Sequence, residues 1–353
     1  MGTSQKNTRM RSKNSFASDN TSTACPQVMD AVVAANSGIV QSYGDDEYSL
    51  RLQTTMSEIF ETPVTVFPTV SGTASNALAL SAITPSFGKI YCHGLAHINN
   101  DECGAPEFFS GGAKLVDVAG ENGKFNAETL DATIDGRDVV HNSQPACVSI
   151  TQACETGMVY QTHEITAIAA TAHEHRLKVH MDGARFANAL VTLDVSPAEM
   201  TWKSGVDVLS LGATKNGCLA AEAVVFFKPE LVGQFSYLHK RAGQLLSKMR
   251  FVSAQLEAYV ADDIWLRNAQ HANKMAARLS AALAELPGIE LAYPTQSNEV
   301  FVRLSDSVMR ELRDGGFDVN VEELDGSAAR FVTAWNTQES EVDELVKVAC
   351  RTR

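Results

Sequence analysis

From about residue 64 to 227, short apolar runs alternate with stretches whose apolar residues recur at helical spacing. Strands covered on both faces read as continuous apolar runs, and their alternation with helices marks a mainly parallel sheet. The pattern predicts strands at 64–70, 89–92, 114–118, 148–151, 178–181, 206–211 and 221–227, with helices at 74–83 and 164–174. Ser71-Gly72-Thr73 opens the first of these helices, Asp182 closes the 178–181 strand, and Lys215 lies in the loop after 206–211. Beyond about 235 the pattern changes. Two long helical stretches, 235–255 and 262–285, precede Gly288, then come strands at 290–293, 299–304, 318–321 and 329–333 and a helix from Glu339. The expectation is an α/β protein. A large domain (16–250) with a mainly parallel sheet carries a smaller C-terminal α+β domain (251–353), and residues 1–15 form a disordered leader.

Composition narrows the functions available. A length of 353 residues suits about two domains. Lys and Arg number 29 against 42 Asp and Glu, a net charge of −13, which argues against a nucleic-acid partner. No uncharged apolar run reaches the roughly 18 residues that a transmembrane helix needs. The seven cysteines are scattered without a C-x-x-C pair, as expected of reduced thiols in a cytoplasmic protein. The N-terminal stretch carries Lys6, Arg9, Arg11 and Lys13 but no apolar segment, so it does not read as a secretory signal. Dinucleotide, Walker, nucleophile-elbow and H-E-x-x-H signatures are absent. His173-Glu174-His175 reads as a solvated helix face, and no metal site is expected.

The informative residues stand at strand ends. Asp182-Gly183-Ala184-Arg185 follows an apolar strand, where α/β folds hold ligands; alone, Asp182 would serve equally as a helix cap. Ser210-Leu211-Gly212-Ala213-Thr214-Lys215-Asn216-Gly217 places one Lys among small residues after another strand. A lysine in such a crowded pocket can form an imine with an aldehyde. A carboxylate for a pyridinium nitrogen and an imine-forming Lys are what proteins supply to pyridoxal phosphate. Ser71-Gly72-Thr73, at a helix start, offers N–H groups and a hydroxyl to a phosphate.

Past residue 15, these segments together resemble the low-specificity L-threonine aldolases of the aspartate-aminotransferase-like, fold type I pyridoxal phosphate superfamily. Further stretches carry the resemblance: Phe16-Ala17-Ser18-Asp19-Asn20, Tyr43-Gly44-Asp45-Asp46, Ala96-His97, Asp101-Glu102-Cys103-Gly104-Ala105-Pro106-Glu107, His180-Met181-Asp182 and Ala329-Arg330-Phe331. The set is similar to the bacterial branch that includes phenylserine aldolase-type enzymes. The resemblance implies pyridoxal 5'-phosphate as cofactor and cleavage of L-threonine, L-allo-threonine and related β-hydroxy-α-amino acids to glycine and an aldehyde. It implies that Lys215 forms the imine, Asp182 pairs with the ring nitrogen and His97 stacks on the ring near the substrate hydroxyl. Gly72 and Thr73 would hold the phosphate, with Arg185 beside the cofactor and the substrate carboxylate, which Ser18 and Arg330 bind. Tyr43 and a basic residue near Lys240 would come from a neighbouring subunit, with Arg241 and Arg250 as alternatives to Lys240. The implied assembly is a homotetramer, a dimer of dimers with shared active sites.

One departure stands out. Many relatives carry a second histidine after the strand ending near Thr151, where this chain reads Thr151-Gln152-Ala153-Cys154-Glu155. Cys154 is the positional match, which leaves a water held by His97 as the expected base. β-Elimination, racemisation and transamination would use the same Lys215 and Asp182, and their products distinguish them.

Overall fold

The computed structural model describes residues 14–318, 320–322 and 328–352. The central sheet has seven strands: β1 (Thr65–Thr69), β2 (Gly88–His93), β3 (Lys114–Val118), β4 (Gln144–Thr151), β5 (Lys178–Gly183), β6 (Val208–Gly212) and β7 (Glu222–Phe226). They lie in the order β1-β7-β6-β5-β4-β2-β3. The pairs β6–β5, β5–β4, β4–β2 and β2–β3 are parallel, and β7 runs antiparallel to both its neighbours. The expected mainly parallel sheet is therefore present. The central strands are continuous apolar runs because both faces are covered: every residue of β6 and β7 is buried.

Helices α1 (Pro26–Ala35) and α2 (Glu47–Ile59) precede the sheet; α3 (Gly72–Ile83), α4 (Thr162–Glu174) and α5 (Phe186–Leu193) connect its strands. α3 is apolar nearly all round, with Ala77, Leu78, Ala79 and Leu80 all buried, as befits a helix lying between the sheet and other elements.

The stretch expected as one helix over 235–255 is two, α6 (Phe235–Arg241) and α7 (Arg250–Val260). Gly243 stands between them at φ +73°, a left-handed conformation that other residues adopt at a cost. The side chain of Gln244 then accepts a hydrogen bond from the N–H of Val70 at 3.0 Å. The break thus ties this loop to the chain that enters α3. α7 supplies Val252, Leu256, Tyr259 and Val260 to the larger core.

The long helix α8 (Ile264–Ala284) joins two cores. Its first turns contribute Ile264, Trp265 and Ala269 to the larger one, and Met275, Ala276, Leu279 and Leu283 to a second. That second core also holds β9 (Glu299–Arg303), α9 (Asp306–Asp314) and α10 (Glu339–Ala349) through Val300, Val302, Leu312, Val342 and Leu345. β9 belongs to an antiparallel sheet with β8 (Glu290–Leu291), β10 (Asn320–Glu322) and β11 (Ala328–Val332), in the order β10-β11-β9-β8. Asn14–Ser15, at the end of the expected leader, pairs in parallel with Phe317–Asp318; residues 1–13 of that expectation lie outside the described residues.

Candidate active site

Three strands deliver a row of side chains to one place. Across β4, β5 and β6, Thr151 is paired with Asp182 and Asp182 with Ser210, at the carboxyl ends of parallel strands. All three line a cavity of about 280 Å³, together with Ser71, Gly72, Thr73, Asn76, His97, Glu155, Arg185, Lys215 and Glu222. The crevice past the strand ends is where an open α/β sheet exposes backbone groups and side chains to a ligand.

Asp182 is 3 % exposed. Its Oδ1 accepts from the Ala184 N–H at 3.0 Å and its Oδ2 from the Asn76 amide at 2.8 Å. Two residues earlier on the strand, His180 lies between the hydroxyls of Ser149 and Ser210, each at 2.9 Å. Burial pushes His180 down to about 4, so it stays neutral at physiological pH and holds Ser210 in place.

Lys215 stands in the short turn Thr214–Asn216 after β6. The turn is fixed from β7: Glu222, 6 % exposed, accepts from the N–H groups of Ala213 at 3.1 Å and Thr214 at 3.3 Å. Burial pushes the Glu222 carboxyl up to about 7, and the Thr214 hydrogen bonds and the Lys215 charge oppose that rise.

His97 opens onto the cavity from the turn after β2, and its Nδ1 is 2.8 Å from Oε1 of buried Glu102. That hydrogen bond raises the imidazole pKa, with burial opposing it. The Asn76 amide reaches Glu102 as well as Asp182, both at 2.8 Å, so one side chain spaces two carboxylates. Opposite, Ser71 caps α3 by accepting from the Ala74 N–H at 3.2 Å. The N–H groups of Gly72 and Thr73 have no intrahelical acceptor, and the helix dipole adds positive potential there.

Arg185 is enclosed by acids. Its Nε and Nη2 donate to Asp19 at 2.9 and 3.1 Å, and its Nη1 is 3.2 Å from Glu299. Ser18 caps the turn that holds Asp19 by accepting from the Asn20 N–H, and Arg330 donates to the Ala17 carbonyl at 3.4 Å. Neither Ser18 nor Arg330 lines the cavity, whereas Asn20, two residues after Ser18, does. Tyr43 and Lys240 lie together outside it, with the ammonium 4.2 Å from the ring centroid. Cys154, matched by position to the missing histidine, is not in the cavity: its Sγ is buried against the carbonyls of Asn122 and Met158, and burial pushes the thiol up to about 12. Its neighbour Glu155 takes that place.

The β-eliminating lyase family matches residues 15–307. A low-specificity L-threonine aldolase of a Pseudomonas species is 44% identical over 330 residues, which cover 94% of this chain and 95% of that one. The chain belongs to the low-specificity L-threonine aldolase family. A second such aldolase, from Pseudomonas aeruginosa, is also 44% identical, over 94% of this chain and 96% of its own. The solved structure of the Leishmania major threonine aldolase superposes with a TM-score of 0.89 at 30% identity, covering 96% of this chain and 98% of that one.

Six of the residues expected from sequence line the cavity: Gly72, Thr73, His97, Asp182, Arg185 and Lys215. Sequence reasoning assigned no role to Asp19, Asn76, Glu102, Glu155, Glu222 or Glu299. For Glu222 and Glu299 a signal existed, a carboxylate inside an apolar strand, which is costly to bury without donors.

Proposed function

We propose that this chain is a pyridoxal 5'-phosphate enzyme that cleaves L-threonine, L-allo-threonine and related β-hydroxy-α-amino acids between Cα and Cβ, giving glycine and an aldehyde. The observation that carries the reading is the meeting of Lys215, Asp182, His97 and the α3 N-terminus in one cavity, in a chain 44% identical to an enzyme named for this reaction.

The residues fit the cofactor. Lys215 would hold its aldehyde carbon, Asp182 its ring nitrogen, and Gly72 and Thr73 its phosphate. At Gly72 no atom lies within 4 Å of where a Cβ would stand, so the cradle is open. When bound, pyridoxal phosphate supplies an electron sink for the pair left on Cα as a bond to Cα breaks.

The remaining work belongs to the chain. His97, oriented through Nδ1 by Glu102, keeps its ring at the cavity wall. Ser18 and Arg330 would take the substrate carboxylate, because a guanidinium fork matches two carboxylate oxygens. Holding that group fixes rotation about Cα, which decides whether Cα–Cβ or Cα–H is aligned for cleavage. Arg185, held by Asp19 and Glu299, would be fixed in place beside the cofactor. Tyr43 and Lys240 would complete the site of a second copy, an assembly favoured by the exposed apolar Met29, Val33, Ile39 and Leu50 on and near α1 and α2.

The test is product analysis. Purified holoenzyme given L-threonine, L-allo-threonine or L-phenylserine should release equal amounts of glycine and aldehyde. Borohydride reduction should fix the pyridoxyl group on Lys215. A 2-oxo acid with ammonia would instead assign elimination, and a label on another lysine would move the centre of the site.

A further inference from the structure

We propose that Glu155 is the base that takes the proton from the β-hydroxyl of the substrate. This assignment rests on the proposed retro-aldol reaction and names the group that reaction otherwise lacks.

Glu155 lines the cavity at the end of β4, beside Thr151 and facing His97. Its Oε1 accepts from the main-chain N–H of His97 at 2.7 Å, which fixes the carboxyl against the turn that carries the imidazole. Its Oε2 is shielded from solvent and has no hydrogen-bond partner among the described residues. A buried acceptor left without a donor is costly, and a substrate hydroxyl in the cavity is a donor that would satisfy it.

The alternatives on the same wall are weaker acceptors. Cys154 points into the core, with its thiol held protonated. His97 spends Nδ1 on Glu102, and that bond favours the imidazolium, which has no lone pair to receive a proton. Burial, followed by the nearby Asp182 charge, pushes Glu155 up to about 7, while the His97 N–H and imidazole pull it back. Arg185 also acts on it, and the Cys92 and Tyr160 groups that feel its charge are themselves held neutral by burial. A carboxylate in that range suits proton transfer at physiological pH.

The step balances. The hydroxyl proton passes to Oε2, the C–O bond becomes the aldehyde carbonyl, and Cα–Cβ breaks with its electron pair left on Cα. A proton returned to Cα completes glycine, and Glu155 gives its own proton back to solvent.

The decisive experiment compares two reactions of the holoenzyme. Aldehyde release from L-threonine needs a base at the hydroxyl, whereas exchange of the glycine α-proton in D2O does not. Glu155→Gln keeps an oxygen for the His97 N–H, so fold and cofactor absorbance should be retained. Its aldehyde release should fall at least 100-fold while glycine exchange stays within threefold of the parent. Glu155→Asp should recover part of the loss, and Cys154→Ser should behave as the parent. In the parent, kcat/KM should decline as pH falls through about 7, because the protonated carboxyl cannot accept; the Gln variant should lack that limb. Aldehyde release by Glu155→Gln at the parental rate, or an equal loss of glycine exchange, overturns the assignment while the reaction stands. A parent that releases no aldehyde overturns the reaction, and the assignment with it.

Discussion

Asp182 faces two donors of different kinds, a main-chain N–H that cannot move and the Asn76 amide that is shared with Glu102. Replacing it with Asn keeps an acceptor for Ala184 but sets one NH2 group against another at Asn76. The larger consequence is charge: an amide cannot stabilise a protonated ring nitrogen, and without that proton the ring is a poorer electron sink. Asp182→Asn should therefore retain cofactor through Lys215, Gly72 and Thr73 yet cleave L-threonine at least 100-fold more slowly, about 2.7 kcal/mol of barrier. The measurement is single-turnover aldehyde release at full cofactor occupancy, and undiminished turnover would place the ring partner elsewhere. Lys215 and Asp182 were legible in the sequence because each follows an apolar strand and carries the charge that strand lacks. Glu155 was not, since its meaning comes from His97, far away in the chain, and from a loop that turns Cys154 inward.

The elements place these residues through close backbone approach. Gly212 ends β6, three residues before Lys215, and a Cβ there would lie 2.6 Å from the Ala184 carbonyl oxygen and 2.7 Å from that of Gly183. Backbone atoms cannot rotate aside, so Gly212→Ala must push the ends of β5 and β6 apart. Overpacking of this kind costs about 1–3 kcal/mol, and Asp182 and Lys215 would separate with it. Gly72→Ala is the informative contrast, because a Cβ there meets no protein atom within 4 Å and a helix gains from Ala. We expect Gly212→Ala to lower both Tm and cofactor affinity, and Gly72→Ala to lower cofactor affinity alone. Equal melting of Gly212→Ala and the parent would refute the close-approach account. The strands were readable as apolar runs, but the break between α6 and α7 was not, since Ala242 and Gly243 do not interrupt a helical period. Gly243 ends α6 by turning left-handed, and the Val70 N–H then ties Gln244 down, a partner that no local pattern contains. α1 and α2 did carry start signals, Pro26 at the first turn and Asp46 capping through the Ser49 N–H.

At the scale of the molecule, Arg185 ties together three distant parts of the chain: Asp19 near the start, its own turn after β5, and Glu299 on β9 of the smaller sheet. Asn298 adds a second link, donating to Asp19 at 2.9 Å and to the Thr333 carbonyl at 2.7 Å. Burial alone would raise the Asp19 pKa, but Arg185 and then Lys215 outweigh it and hold the carboxyl below its ordinary value. Burial raises Glu299 instead, so on acidification Glu299 takes up its proton before Asp19 does. The sign for Asp19 follows: its folded pKa lies below the unfolded value of about 3.9, so its contribution is complete above that value and lost as pH falls through the folded one. Asp19→Asn leaves Arg185 to Glu299 and removes a charge-assisted pair of hydrogen bonds, a loss of about 1.5–3 kcal/mol near neutrality. Urea midpoints of parent and variant should therefore stay farthest apart down to the unfolded value of about 3.9 and draw together as pH falls below it. A gap that stayed constant below that value would mean that Asp19 contributes through packing, and the charge-based account of how Arg185 joins the two cores would fall.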